Sequence, residues 1–306
     1  MDIIRKDRTL SVIIPVSAKE NVYNIQKSIY ALSNVDYTNF DEKILYCIDV
    51  PKEGVRKYYN LDVPENVELL FVFNNQIKQA GAYNAGLDKY DSDYYCFLDL
   101  DATVAPDFFQ KCVKIDADFV GSDRIISNAN TNSITKTISE ETEMYNTVKR
   151  LSMKYAGKYF IAACTGLIKK KVFENFRFTE VTAADDELYR YLLKNKFTFG
   201  YAINTYYTEQ CVWTYRELWN QRLRWFMDAW RLCFKRSKNS SYSTAMTIGM
   251  IFPSVFILAA PLLFKHIKHI RGYNVLWHLI FSHIVSLVAL LKILKGDTVK
   301  WKVSKK

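Results

Sequence analysis

Two aspartates one residue apart, Asp99 and Asp101, directly follow an apolar segment that is typical of a buried strand. Paired carboxylates at the carboxyl end of a strand suit a hard divalent cation such as Mn²⁺ or Mg²⁺. Such a cation would bridge to diphosphate oxygens and neutralise a departing phosphate group. A turn with aspartate caps also explains so short a motif, but the position after a strand favours the metal. Asp49 ends an earlier apolar segment and either accepts hydrogen bonds from a base or ribose or is a loop residue before Pro51.

A second acidic group, Asp185, Asp186 and Glu187, precedes an apolar helical segment. Clustered carboxylates repel one another, so the pKa of one tends to rise toward that of a general base. Acidic residues also stabilise the N-terminus of a helix, and that explanation accounts for all three residues. Taken alone, this cluster therefore favours the helix start over the catalytic role.

A third polar group, Gln221-Arg222-Leu223-Arg224-Trp225, lies further along the chain. It places two guanidinium groups, an amide and an indole on about one and a half helical turns. Guanidinium groups suit phosphate, and an indole face suits a sugar ring or a membrane interface. The surrounding residues 213–236 are rich in Trp and Arg, so an amphipathic helix on a membrane surface is the alternative, and both interpretations can hold together.

Strand-like and helical segments alternate over the first hundred residues. This alternation predicts an α/β fold with a mostly parallel sheet, in which ligands bind at the carboxyl ends of the strands. The predicted strands are 10–16, 43–50, 67–74 and 93–98, and the predicted helices are 21–32 and 80–89.

The composition excludes several classes of protein. The chain has 306 residues, of which 49% are hydrophobic and 24% charged, so disorder is excluded. The net charge of +10 suits anionic partners, but the basic residues do not form a recognisable nucleic-acid module, and no nucleic-acid partner is expected. The six cysteines have no C-x-x-C spacing, which indicates reduced thiols rather than zinc or disulfides. Residues 1–10 do not form a signal peptide, so a cytosolic catalytic part is expected.

Two apolar segments follow the Trp- and Arg-rich region. Residues 244–264 are uncharged and long enough to cross a hydrocarbon core of about 30 Å. Residues 274–294 are similar but contain His278 and His283, which are costly in lipid. If both segments span, the basic linker 265–271 lies outside, against the positive-inside tendency, so one helix could be re-entrant or interfacial. A buried helical hairpin in a soluble protein is the alternative.

In their order, these motifs resemble those of membrane-associated family 2 glycosyltransferases, the group that contains cellulose, chitin and hyaluronan synthases. The resemblance covers roughly residues 9 to 232. It includes a D-x-D, an acidic pair that resembles the T-E-D or G-D-D motif, and a Q-x-x-R-W motif. The matching positions are 11–15 with Glu20 and Asn21, Asp49, 78–84, Asp99 and Asp101, 117–121, 164–166, 184–186, and Gln221, Arg224 and Trp225.

The resemblance implies a role for each matching residue. Asp186 would be the general base, although the short interval to Leu188 keeps Asp185 open for that role. The lysine of the family's motif falls on Gln79, one place from Lys78. Donor binding is implied for Pro15, Glu20, Asp49, Lys78, Asp99, Asp101, Gln221, Arg222 and Arg224, metal binding for Asp99 and Asp101, and acceptor binding for Thr165, Gly166 and Trp225.

The resemblance also implies a nucleotide-diphosphosugar transferase fold of the GT-A type. Residues 1–238 would form a cytosolic catalytic domain that ends in an amphipathic segment at 212–238, and residues 239–306 a membrane anchor. The expected activity is inverting transfer of a hexosyl or N-acetylhexosaminyl group, with a UDP-sugar as donor, to a glycan in cell-surface polysaccharide synthesis. Single transfer to a polyprenyl-phosphate or lipid-linked acceptor and a non-catalytic scaffold or nucleotide-sugar sensor are the alternatives.

The expected location is the cytoplasmic membrane, with contacts to membrane lipids and possible homo-oligomers. The donor sugar, the linkage, the acceptor, processivity and the assembly of a channel stay open at this point.

Overall fold

The chain divides into two units in the computed structural model, which describes residues 7–73, 75, 77–161, 163–179, 184–235 and 272–296. Unit 1 comprises Met1–Ile125 and Arg150–Glu209, and unit 2 comprises Ile126–Lys149 and Gln210–Lys306. Each unit therefore contains two separate stretches of the chain.

Unit 1 is built on an eight-stranded sheet with the strand order β3-β2-β1-β4-β7-β6-β8-β5. The strands are β1 (Thr9–Ser17), β2 (Asp41–Asp49), β3 (Val67–Val72), β4 (Tyr94–Phe97), β5 (Thr103–Val104), β6 (Phe119–Ile126), β7 (Leu167–Lys169) and β8 (Phe199–Glu209).

The four predicted strands form the parallel half of this sheet. Strand β1 pairs in parallel with β2 and β4, and β2 pairs in parallel with β3. The apolar residues Leu10, Val12 and Ile14 of β1 are fully buried, as expected for a central strand covered on both faces. Pro15 lies inside β1, which continues to Ser17.

The other half of the sheet departs from the predicted parallel arrangement. Strand β7 pairs antiparallel with both β4 and β6, and β5 pairs antiparallel with β8. These strands follow long or irregular connections rather than the regular β-α alternation that predicts parallel pairing. The sheet is therefore a mixed one, flanked by helices.

Seven α-helices lie in the described part of the chain. The short helix α1 begins at an N-cap, Asn21, whose side chain accepts a hydrogen bond from the Tyr23 amide. The helices are α1 (Val22–Ser33), α2 (Lys78–Lys89), α3 (Phe108–Cys112), α4 (Ser133–Ala156), α5 (Ala184–Lys194), α6 (Tyr215–Lys235) and α7 (Gly272–Leu294).

Unit 2 is helical and has its own apolar packing. Phe226 and Met227 of α6 are buried together with Val285 and Ala289 of α7. The indole Nε1 of Trp230 donates to the backbone carbonyl of Ser286 at 3.2 Å, which ties the two helices together. A second cluster joins the start of α4, at Ile134 and Ile138, to Val212 and Leu218.

The predicted membrane segments have different outcomes. Residues 244–264 lie outside the described residues. Residues 274–294 fall in α7, a helix as predicted. However, none of the helices that the structure describes, α7 included, has the length and apolarity needed to cross a membrane.

Candidate active site

Three carboxylates lie at or just beyond the carboxyl ends of two parallel strands that flank β1. Asp49 is the last residue of β2, and Asp99 and Asp101 follow β4, with β1 between the two strands. We call Asp49, Asp99 and Asp101 the acidic edge. Asp99 is exposed, and the other two are partly exposed. The parallel half of the sheet therefore brings the predicted carboxylates to the edge where ligands of such sheets bind.

The first two residues of α2 contact two different members of the acidic edge. The ammonium of Lys78 lies 3.9 Å from Asp49 Oδ2. The amide Nε2 of Gln79 donates to Asp99 Oδ1 at 3.1 Å. In this chain the lysine stands at position 78, one place before the lysine of the family motif. As a result the positive charge of Lys78 lies beside Asp49 of β2, and the neutral amide of Gln79 contacts Asp99 after β4.

The backbone at the first residue of α2 sets these directions. Lys78 has a φ of +50°, a left-handed conformation that is uncommon for a residue with a side chain. Asn75 stabilises it by donating from Nδ2 to the Lys78 carbonyl at 2.6 Å. A Cβ atom on Gly81 would lie 2.0 Å from Asn75 Oδ1, so a larger residue here would displace the Asn75 side chain from this position.

The carboxyl of Asp49 carries a perturbed pKa. Burial raises its pKa above the usual value, and the nearby positive charge of Lys78 partly offsets that rise. Only the ionised form accepts hydrogen bonds through both oxygens, so this pKa would set the lower pH limit for binding a ligand N–H group at Asp49.

Replacing Lys78 with methionine should raise the pKa of Asp49 further, since the opposing charge is removed. Nucleotide affinity should then begin to fall at a higher pH than in the wild type as the solution is acidified. Calorimetric titration with nucleoside diphosphate across pH 4 to 8 measures this midpoint, and Lys19→Met is the control. A midpoint that stays in place would show that Lys78 does not act on Asp49.

The acidic cluster at the start of α5 divides its three side chains among different partners. Asp186 pairs through Oδ2 with the Nε of Arg190, one turn later, at 2.8 Å. Glu187 accepts from the Thr179 amide at 2.9 Å. Asp185 accepts the Asp186 amide through Oδ1 at 3.0 Å. Asp185 thus binds an amide of the first helical turn, Glu187 binds the segment before the helix, and Asp186 pairs with a cation.

Asp185 shares two buried neighbours with Asp99. Burial raises the pKa of the Cys164 thiol well above its usual value, and the charges of Asp185 and then Asp99 raise it further. Burial likewise raises the pKa of Tyr83, with further contributions from Asp99 and Asp185. Both groups stay neutral at physiological pH, and the negative charges of Asp99 and Asp185 act on both of them.

The other predicted residues of unit 1 have clear local roles. Glu20 accepts from Asn24 Nδ2 at 2.7 Å. Thr165 is buried, and a Cβ on Gly166 would come within 2.8 Å of the Phe119 ring and 2.9 Å of the Val120 carbonyl. Gly166 is therefore required by close packing against β6, whatever it contributes to acceptor binding.

The Q-x-x-R-W segment lies on α6 in unit 2. Gln221, Arg224 and Trp225 are partly exposed. Arg222 is only 7% exposed, forms an ion pair with the buried Glu141 of α4, and lies over the Trp225 ring at 4.6 Å. Gln221, Arg224 and Trp225 thus retain surface that a ligand could reach. The Arg222 side chain is instead buried inside unit 2, between Glu141 and the Trp225 ring.

The described residues contain no group of three or more His, Cys, Asp or Glu side chains that could hold a metal ion. The acidic edge nevertheless offers the oxygen ligands that Mg²⁺ or Mn²⁺ takes from one or two carboxylates, with the remainder from phosphate and water. The contact from Gln79 to Asp99 is that of a neutral amide, so it leaves the carboxylate's charge in place. The donor set therefore fits a cation that arrives with a diphosphate.

Three relevant residues were not predicted from the sequence as contacts of the site. Arg190 lies four residues after Asp186, a spacing that signals an ion pair on a helix. Gln79 occupies the position of the family's lysine, so the sequence alone gives no sign of its contact with Asp99. Glu141 gives no sequence signal, because its partner Arg222 is 81 residues away.

The family model described as glycosyl transferase family 2 matches residues 11–177, more than half of the chain. The chain belongs to glycosyl transferase family 2. The matched region contains the acidic edge and the start of α2, and it ends before α5 and the Q-x-x-R-W segment. No curated protein sequence matches this family 2 glycosyltransferase significantly.

Solved structures resemble this glycosyltransferase in fold. The mannosyltransferase PcManGT from Pyrobaculum calidifontis, in complex with GDP-Man and Mn²⁺, aligns with a TM-score of 0.58 and 13% identity, over 95% of this chain and 88% of its own. S. aureus TarS aligns with a TM-score of 0.46 and 13% identity, over 79% of this chain and 42% of its own. This chain thus spans less than half of the TarS chain. The first of these likenesses supports the GT-A-like fold.

Proposed function

We propose that this family 2 glycosyltransferase transfers a sugar from a nucleoside-diphosphate donor to an acceptor hydroxyl with inversion at the anomeric carbon. The observation that carries this proposal is the contact of Gln79 Nε2 with both Asp99 Oδ1, at 3.1 Å, and the Tyr83 hydroxyl, at 2.9 Å, beside which the charges of Asp99 and Asp185 both raise the pKa of Tyr83 and of Cys164. A diphosphate-binding carboxylate and a candidate base close to the same buried groups are what a single displacement needs. The neighbouring mannosyltransferase was solved with a nucleotide sugar and Mn²⁺, which supports the donor class.

Asp185 is the base that we propose, in preference to Asp186. The ion pair with Arg190 stabilises the ionised form of Asp186, and so makes this carboxylate a weaker base. The side chain of Asp185 accepts a hydrogen bond from the Asp186 amide, and its negative charge acts on the buried Cys164 thiol. In the proposed step the acceptor oxygen attacks the anomeric carbon, its proton passes to Asp185, and the bonding electrons leave with the nucleoside diphosphate.

The protein's own groups would bind and orient the donor. Asp49 would accept hydrogen bonds from the base, and both uracil and guanine carry N–H groups that suit a carboxylate. Lys78 would place a positive charge beside the donor, and Asp99 and Asp101 would hold the cation at the diphosphate. A bound divalent cation supplies Lewis-acid stabilisation of the leaving diphosphate.

Replacing Asp99 and Asp101 together with alanine should weaken nucleoside-diphosphate binding by at least about ten-fold in the presence of Mn²⁺, because the carboxylate ligands are lost. Binding without metal should change little. Titration calorimetry with UDP and GDP, each with and without Mn²⁺, measures both effects and also compares the two bases. Asp91→Ala, an exposed acid that precedes β4, is the matched control. Equal loss with and without metal would contradict the metal role.

Donor turnover tests the overall proposal. Purified protein should consume a nucleotide sugar in the presence of Mn²⁺ and an acceptor, and product analysis would separate a long glycan from a single added sugar. Binding of nucleotide without any turnover across a panel of donors and acceptors would favour a sensor or scaffold instead.

A further inference from the structure

One face of α7 presents a continuous row of large apolar side chains to solvent. These side chains recur every three or four residues, which places them on one side of the helix. We call this row the α7 stripe, and it consists of Trp277, Ile280, Ile284, Leu287, Leu291 and Leu294.

The opposite face of α7 already has its partner. Val285 and Ala289 are buried against α6, and Ser286 accepts the Trp230 indole N–H. The α7 stripe therefore does not serve the packing of α6 on α7. A contiguous exposed row of six large apolar side chains on one helix marks a contact surface rather than ordinary surface scatter.

We propose that the α7 stripe lies on an anionic lipid surface, with α7 parallel to the membrane plane. The first argument is charge. Between residues 272 and 296 the sequence has no acidic residue, and Lys292 and Lys295 lie near the end of the stripe. An apolar row with lysines and a tryptophan but no carboxylates matches the headgroup boundary of anionic lipids.

The second argument is size. The stripe extends over 17 residue steps, or roughly 26 Å, and a helix is about 10 Å wide, so it offers on the order of 300 Å². A stable protein interface needs about 800 Å² from each partner. The stripe alone is therefore too small for a stable dimer, whereas a single helical face can bind a lipid surface, with a strength that scales with its apolar area.

Vesicle flotation tests this proposal without any sugar donor, so its outcome is independent of the proposed sugar transfer. The full chain is mixed with vesicles of equal parts phosphatidylglycerol and phosphatidylcholine, or of phosphatidylcholine alone. Wild type should float with the anionic vesicles. The triple variant Ile284→Ser, Leu287→Ser, Leu291→Ser should bind on the order of 100-fold more weakly, from the apolar area lost. The control, Ile203→Ser, replaces a 64% exposed isoleucine of β8 and should float like wild type.

Depth-dependent quenching by brominated lipids gives a second readout that does not rely on the triple variant folding well. Trp277→Phe keeps the stripe apolar, and it should remove a large part of the tryptophan quenching seen in wild type. Wild-type flotation of the triple variant, or unchanged quenching in Trp277→Phe, would overturn the proposal. A wild-type dimer that the triple variant converts to monomer, with flotation unaltered, would also overturn it and assign the stripe to a second copy.

Discussion

Replacing Asp185 with asparagine should lower kcat by about 10³-fold, which is the usual contribution of a general base. Asparagine keeps the size and the hydrogen bond to the Asp186 amide, so α5 should begin as in the wild type. Nucleotide affinity should be retained because the acidic edge is unchanged. Steady-state turnover with a saturating nucleotide sugar, together with calorimetric binding of the nucleotide, measures both quantities.

The neighbouring substitution Asp186→Asn is the matched control. It removes one member of a partly buried helical ion pair with Arg190, which costs on the order of 1 kcal/mol. Its kcat should stay within a few-fold of wild type. The reverse pattern, an inactive Asp186→Asn and an active Asp185→Asn, would assign the base to Asp186, as the sequence resemblance implies.

Replacing Glu141 with leucine should lower the free energy of unfolding by about 3 to 5 kcal/mol, because the guanidinium of Arg222 is left as a buried charge without its carboxylate. Both side chains are less than a tenth exposed, so water cannot take the place of the lost partner. Urea denaturation followed by far-UV circular dichroism measures the change.

Two further variants show whether the loss comes from the unpaired charge. Asp91→Leu breaks the exposed ion pair with Lys170 and should cost less than about 1 kcal/mol. The double variant Glu141→Leu, Arg222→Met removes both charges and should recover most of the stability lost in Glu141→Leu. A Glu141→Leu protein as stable as wild type would show that this ion pair does not hold unit 2 together.

Much of the parallel half of the sheet could be predicted from the sequence, and the antiparallel half could not. The runs around Val12 and Ile44 are continuous and β-branched, which is the pattern of strands buried on both faces. Strand β7 has only three residues, and too short a pattern has no recognisable period. Helix α4 is long but polar, with several buried threonines and a buried glutamate, so its apolar stripe is weak.

The sequence allowed the residues of the candidate site to be predicted, but not the contacts between them. The carboxylates at Asp49 and Asp99 follow from strand ends, which the sequence marks well. The contacts of Lys78 with Asp49 and of Gln79 with Asp99 depend on the left-handed φ of Lys78. A lysine gives no sign of such a φ in the sequence. Arginine is a residue type that commonly binds phosphate, so the sequence suggests this role for Arg222. Only the structure shows that Arg222 forms an ion pair with Glu141.

The division of the chain into discontinuous units has a consequence for how the protein is made. Residues 126–149 emerge from the ribosome before β7 and β8 of unit 1 and well before their apolar partners Val212 and Leu218 in unit 2. Ile134 and Ile138 must therefore stay uncovered while about 75 further residues are translated, which takes several seconds at ordinary synthesis rates. Unit 2 cannot be completed until unit 1 has been translated, so the nascent chain carries an unfinished apolar face that a chaperone could shield during that interval.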